Sequence, residues 1–140
     1  MRLRTGDKKD WGTPIQLFRE LDYEFHFDLD ACASEGNHKV DRYFTREQDA
    51  FTQDWTEFRS VYMNPPYGNG IDKWLLKAYQ TAQAGKTTVV YLVPANTDTS
   101  WWHDICTKGE VRFLRGKVKF EGARWNAPFA SAIVIFRPKG

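Results

Sequence analysis

Long apolar runs are missing from this 140-residue sequence. No stretch approaches the roughly 18 apolar residues of a membrane-crossing helix, and the opening MRLRTGDKKD lacks the apolar centre of a secretory signal. These absences are read as a soluble, cytoplasmic protein with no membrane partner. Cysteine is nearly as scarce. Cys32 and Cys106 stand far apart, without the density of a disulfide framework or the spacing of metal ligands, so they read as reduced thiols and no metal site is expected. Internal repeats, low-complexity tracts and linkers are also missing, which leaves residues 1–140 as one domain, large enough to bury a core without staples.

Net charge is small, +2, but its placement is uneven. Residues 1–60 carry 9 Lys/Arg against 13 Asp/Glu, whereas residues 108–140 carry 8 against 2. The basic segment KGEVRFLRGKVKFEGARWNAPF interleaves aromatics with its cations, a pattern suited to phosphate-backbone contacts. A solvated strand edge guarded by Lys and Arg produces the same pattern.

Apolar periodicity orders the elements. A helix is expected from Pro14, with Thr13 as cap, Gln16 completing a capping box, and Leu17, Phe18 and Leu21 on one face. FDLDACAS reads as a short strand running into a turn at Asp30, EGNHKVDRYFT as loop, and REQDAFTQDW as weakly helical or irregular. SVYM is a buried strand. NGIDKWLLKAYQTAQAGK has Ile71, Trp74, Leu75, Ala78, Tyr79 and Ala82 at helical spacing, with Asn69 and Asp72 as start signal and Gly85 as stop. TTVVYLVP is a fully apolar strand, and NTDTSWWHDICTKG a short helix capped near Asp98 or Thr99. EVRFLRG, KVKFEG and SAIVIFRP read as three strands, the last two as a hairpin. The sum is an α/β sandwich with a mostly parallel sheet and an antiparallel C-terminal strand or hairpin, in which ligands sit beyond the carboxyl ends of the strands.

One stretch carries chemistry. In VYMNPPYGNG, a buried strand ends at Asn64. Pro65 drives Asn64 toward an extended conformation, and neither Pro65 nor Pro66 can donate a backbone hydrogen bond. The nearby groups are therefore mainly acceptors, the Asn64 side-chain oxygen and the carbonyls around Pro65. A planar amine with two N–H donors fits there, and Tyr67 is placed to stack on the ring that bears it. The lone pair of such an amine is conjugated into the ring. Two carbonyl acceptors draw it out of conjugation as the nitrogen attacks a strong electrophile, such as a sulfonium methyl donor. Asn-Pro-Pro is also an ordinary turn former.

With these pieces together, the sequence resembles the amino-methyltransferases that use S-adenosylmethionine, and more closely the small phage and prophage DNA N6-adenine methyltransferases of the Dam type. The blocks that carry the likeness, in order, are WGTPIQLFRELDYEFHFDLDACAS, NHKVDRYFT, DAFTQDW, VYMNPPYGNGIDKWLLKA, VYLVPANTDTSWWH, VRFLRGKVKF and PFASAIVIF. The resemblance implies a compact Rossmann-like methyltransferase sandwich in a bacterial or phage-infected cytoplasm. It implies that Asn64, Pro65, Pro66 and Tyr67 are catalytic, with Asn64 and the Pro65 carbonyl on the adenine N6 and Tyr67 on the base. It implies that Asp30, Ala31 and Ala33 approach the methionine moiety of the cofactor and that Trp11, Thr13 and Pro14 close over it. Asp49 is similar to the acid that contacts the cofactor adenine, with Asp54 its rival.

The family's glycine-rich turn is reduced here to Gly36, and only 33 residues separate Asp30 from Asn64. No ribose-binding acid is assigned, and a sheet trimmed by a helix or strand, with a shallow or shared cofactor site, is expected. The partner is double-stranded DNA. Its adenine N6 lies inside the stack, so the base must flip out. Arg112, Arg115, Lys117, Lys119 and Arg124 are the candidate phosphate contacts and Trp125 the candidate wedge or stacking platform. Trp101 to His103 lie where they could border the target pocket, His103 being read as structural. No room remains for a separate recognition domain, so a homodimer is compatible with the chain. Two alternatives stay open: the same amine chemistry on RNA, cytosine N4 or protein glutamine, and a nucleic-acid clamp on this fold without turnover.

Overall fold

Strands that are apolar at every position have no face to give to water, and the centre of this molecule is built from such strands. The computed structural model describes residues 12–45 and 50–139. Its six-stranded sheet consists of β1 (Leu29–Ala33), β2 (Tyr43–Thr45), β3 (Ser60–Met63), β4 (Thr88–Pro94), β5 (Glu110–Phe113) and β6 (Ser131–Phe136), in the order β2-β1-β3-β4-β6-β5. Every residue of β3 and β6 is buried, as is β4 after Thr88. The first four strands pair in parallel, and β6 runs antiparallel between β4 and β5.

Helices cover both faces. Among the described residues they are α1 (Ile15–Phe25), α2 (Ile71–Gln83) and α3 (Ser100–Asp104). One core lies under α2, where Trp74, Leu75 and Ala78 meet Leu29, Val61, Val89, Tyr91 and Val134. The other lies under α1, where Phe18 and Leu21 meet Tyr62, Val90, Leu92 and Ile133. The alternation along each strand thus divides its side chains between two helical layers. No helix among the described residues is long and apolar enough to cross a membrane.

Several local expectations change. The hydroxyl of Thr13 does not cap α1; Pro14 is the cap residue, and Thr13 Oγ1 instead hydrogen-bonds the Tyr62 hydroxyl at 2.5 Å. Residues 43–45, read as loop, form the edge strand β2, so the short interval after Asp30 keeps a strand and, among its described residues, holds no α-helix. Two 3₁₀ turns, Ala50–Thr52 and Trp55–Glu57, follow in that interval. Lys77 of α2 pins them by donating from Nζ to the carbonyls of Phe51 and Gln53, both at 2.6 Å, while its ammonium lies 5.3 Å from the Trp55 ring centre. KVKFEG is not a strand. Its β pairing is limited to the isolated bridge of Gly12 with Glu121, and β6 pairs with β4 and β5 instead.

Candidate active site

The site follows from the strand order. The chain leaves β1 toward β2 on one side and leaves β3 through α2 toward β4 on the other, so the direction of winding reverses between β1 and β3. A crevice opens at the carboxyl ends of adjacent strands where such a reversal occurs. Asp30 of β1 and Tyr62 of β3 are register partners at this junction, and Asn64 follows directly on the end of β3.

Asn64 is held by Tyr67. The Tyr67 hydroxyl donates to Asn64 Oδ1 at 3.0 Å and also reaches the Leu92 carbonyl at 3.2 Å, so one phenolic proton is divided between a side chain of the corner and the backbone of β4. Burial pushes the Tyr67 phenol well above its ordinary range, which keeps it a donor at physiological pH. Its ring meets the edges of Phe120 and Phe129 at 6.0 and 5.8 Å. Gly68 and Gly70, at φ 106° and 91°, then turn the chain into α2 through conformations that a side chain would strain. A groove of about 380 Å³ runs beside the corner between Gly68–Asp72 and the α3 residues Trp101 and Asp104. His103 bonds through Nε2 to the Thr97 carbonyl at 2.6 Å, which ties down the loop leaving β4.

Across the junction, Asp30 lies within β1 rather than at a turn, because the strand continues to Ala33. It is 3 % exposed. Its Oδ2 accepts from the Lys39 backbone N–H at 3.0 Å, while Oδ1 is buried with no partner among the described residues. Burial raises its pKa to about 6, against the pull of the Lys39 and Cys32 backbone N–H groups. A buried carboxylate oxygen without a donor is costly, and a cation or ammonium donor relieves the cost.

The other expected cofactor residues divide. Thr13 is buried against Tyr62 on the same side as Asp30, and Pro14 adjoins it. Ala33 is half-buried at the strand end. Ala31 alternates to the opposite face and packs in the core under α2, away from Asp30. Trp11 and Asp49 lie outside the described residues. Asp54 is exposed and caps the second 3₁₀ turn, its Oδ1 accepting from Thr56 N at 2.9 Å and Thr56 Oγ1 at 2.6 Å, and these bonds lower its pKa. That gives Asp54 a local structural task.

The basic residues divide too. Because β5 runs in the same direction as β4, the 114–130 connection to β6 leaves from the sheet edge that carries Asn64. Arg115, Lys117, Lys119, Arg124 and Trp125 are all exposed on it, with the Arg124 guanidinium 5.5 Å from the Trp125 ring centre. Arg112 differs. Its guanidinium forms a two-pronged ion pair with Glu24 of α1 at 2.7 and 2.8 Å and a third bond to Glu110 at 2.7 Å. It fastens β5 to α1.

Sequence reasoning passed over Tyr62, Lys39, Phe120 and Phe129. The signal for Phe120 was present in the in-out alternation of KVKF, where Lys117 and Lys119 are exposed and Phe120 is buried. The Thr13–Tyr62 and Asp30–Lys39 contacts left no local signal.

Known proteins match along this whole frame. The family model described as DNA N-6-adenine-methyltransferase (Dam) matches residues 2–138. A DNA N-6-adenine-methyltransferase of Haemophilus phage HP1 (strain HP1c1) is 33% identical over 148 aligned residues, covering 97% of this chain and 83% of that protein. A DNA N-6-adenine-methyltransferase of Escherichia phage T1 is 29% identical over 93 residues, 66% of this chain and 38% of that protein. With the family model matching residues 2–138 and a relative 33% identical over 97% of this chain, this chain belongs to the DNA N-6-adenine-methyltransferase (Dam) family.

Proposed function

We infer that this protein transfers a methyl group from S-adenosylmethionine to the N6 amine of an adenine flipped out of duplex DNA. The observation that carries the reading is the position of Asp30 on β1 and of Asn64 directly after β3, the two strands that flank the reversal in the sheet. The run β2-β1-β3-β4 is a doubly wound order with its outermost strand removed, which supports a trimmed Rossmann-like sheet. The unpartnered Asp30 oxygen fits the ammonium of a methionine moiety. Asp30 would hold that end, with Thr13 and Pro14 alongside, and the cofactor supplies an electrophilic methyl group.

The chain's own residues do the rest. Asn64 Oδ1 and the Pro65 carbonyl accept the two N–H bonds of the amine and favour the pyramidal nitrogen of the transition state over the planar one of free adenine. Tyr67 orients Asn64 through its hydroxyl and offers its ring to the base. The proton leaves after transfer, so no general base is required. Pro66 keeps the corner stiff. Arg115, Lys117, Lys119 and Arg124 meet phosphates, and Trp125 braces the gap left by the flipped base. Arg112 is left out of this surface because its donors are spent on Glu24 and Glu110.

Two measurements test the reading. A panel of methyl acceptors, comprising adenine-containing duplex, G·C-only duplex, RNA and a glutamine peptide, is expected to show transfer to the first alone. Preferred transfer to any other acceptor overturns it. In salt titrations of duplex binding, Arg124→Ala or Lys117→Ala lowers the log–log slope by about 0.9 for each lost phosphate contact. Arg112→Ala leaves the slope unchanged and lowers thermal stability instead.

A further inference from the structure

Three segments converge over the crevice: the Gly12–Thr13 strap, the loop from β1 to β2, and the loop from β5 to β6. Lys39 joins two of them. Its backbone N–H holds Asp30 Oδ2 at 3.0 Å, and its ammonium, on a side chain 9 % exposed, meets Glu121 Oε1 at 2.5 Å. Glu121 in turn exchanges both backbone hydrogen bonds with Gly12, at 3.2 and 2.8 Å. The residue before it, Phe120, is buried against the Tyr67 ring, and Tyr67 donates to Asn64. Gly12 leaves the space for the ion pair. A Cβ there would stand 2.9 Å from Glu121 Oε1 and 3.1 Å from Lys39 Nζ, the two atoms that form it.

Asp30 and Asn64 are thus connected by a continuous route outside the sheet, running Asp30, Lys39, Glu121, Phe120, Tyr67, Asn64. We propose that the Lys39–Glu121 pair couples the seating of the methyl donor at Asp30 to the seating of the loop that grips DNA, which makes Lys39 and Glu121 positioning residues for the transfer. The proposal rests on the methyltransferase reading above. Its physical basis is simple. A cation at Asp30 Oδ1 fixes an ionised carboxylate, and an ionised carboxylate binds the Lys39 N–H more strongly. With Lys39 fixed, its largely buried ammonium holds the more exposed Glu121; removing Glu121 leaves a poorly solvated ammonium, removing Lys39 releases Glu121 to solvent, and either change loosens the loop. The coupling is reciprocal, so DNA tightens cofactor binding by the same factor.

The test uses S-adenosylhomocysteine as an unreactive probe and a fluorescent unmethylated duplex. Duplex affinity is measured with and without saturating probe, and probe affinity by calorimetry. In the native chain the probe tightens duplex binding by about tenfold, within the usual range of coupling between sites. Lys39→Met, Glu121→Gln and Gly12→Ala, the last of which separates the pair without removing a charge, each reduce that ratio to less than about twofold. The double exchange Lys39→Glu with Glu121→Lys restores most of it. A merely structural role would lower melting temperature and leave the ratio alone. An unchanged ratio in folded variants that still bind the probe overturns the coupling, as does a native chain with no coupling. Failure of the native chain to bind the probe strikes the cofactor reading instead.

Discussion

Asn64→Ala lowers the turnover of methyl transfer by about 10² to 10³-fold, the range found when a single preorganised hydrogen-bonding group is removed from a charge-stabilising site. The loss falls on kcat, because the amide is asked to favour the transition state more than the ground state. Affinity for S-adenosylhomocysteine is largely retained, since the carboxylate assigned to it stands on β1 and the substitution leaves its hydrogen bond to Lys39 in place. The fold also survives. Asn64 is only half-buried and follows β3 rather than pairing within it. Single-turnover kinetics beside equilibrium binding check both halves. A variant that loses probe binding and turnover together would place Asn64 in the cofactor pocket and contradict its assignment to the amine.

The second large effect has opposite signs for stability and for binding. Asp30 has its pKa raised from the ordinary 3.8 to about 6 by burial. A group that holds its proton more tightly when folded stabilises the fold while protonated. Its contribution is therefore present below pH 4 and lost as the pH rises through 6. By linkage, that shift corresponds to at most about 3 kcal/mol. Asp30→Asn removes the buried charge but leaves an amide N–H₂ where Oδ1 stood, at a cost of about 1–2 kcal/mol. The variant is thus expected to be more stable by about 1 kcal/mol at pH 7.5, or a few degrees in melting temperature, with a flatter stability profile between pH 4 and 7. Its affinity for S-adenosylhomocysteine falls by about 10²-fold or more, as expected when one member of a desolvated charge pair is neutralised. Calorimetry and thermal melts on one preparation decide the matter. Destabilisation with unchanged binding would make Asp30 a structural residue of β1.

The two ends of this site were legible to different degrees. Asn64 stood out because an apolar strand, two prolines and a helix start are all local signals, and β3, the corner and α2 follow them directly. Asp30 was found as a residue and misplaced as an element. Small residues after an acid suggest a turn, yet pairing with β2 carries the strand on to Ala33. That pairing is non-local, and β2 was missed for the same reason: three half-buried residues have little periodicity of their own. Thr13 has the chemistry of a cap and stands one residue before it. Its hydroxyl goes to Tyr62, 49 residues away, which no local pattern reports.

The basic segment shows the limit of counting charges. Arg112 and Arg115 are equivalent in a tally, but Glu24, 88 residues upstream, takes the guanidinium of Arg112 and leaves the loop residues to face outward. KVKFEG alternates as a strand does. The alternation sets Val118 and Phe120 against the α1-side core, while Gly116 and Gly122, at φ 74° and 86°, bend the chain away from any ladder.

The account's central claim is that adenine N6 is methylated at the Asn64 corner. Its most direct measurement is the modified-nucleoside content of plasmid DNA recovered from a host free of its own DNA methylation and expressing either the native chain or Asn64→Ala. N6-methyladenine with the native chain, reduced to background with Asn64→Ala at equal protein level, is the predicted result. N4-methylcytosine in its place, or N6-methyladenine undiminished by the substitution, would contradict it.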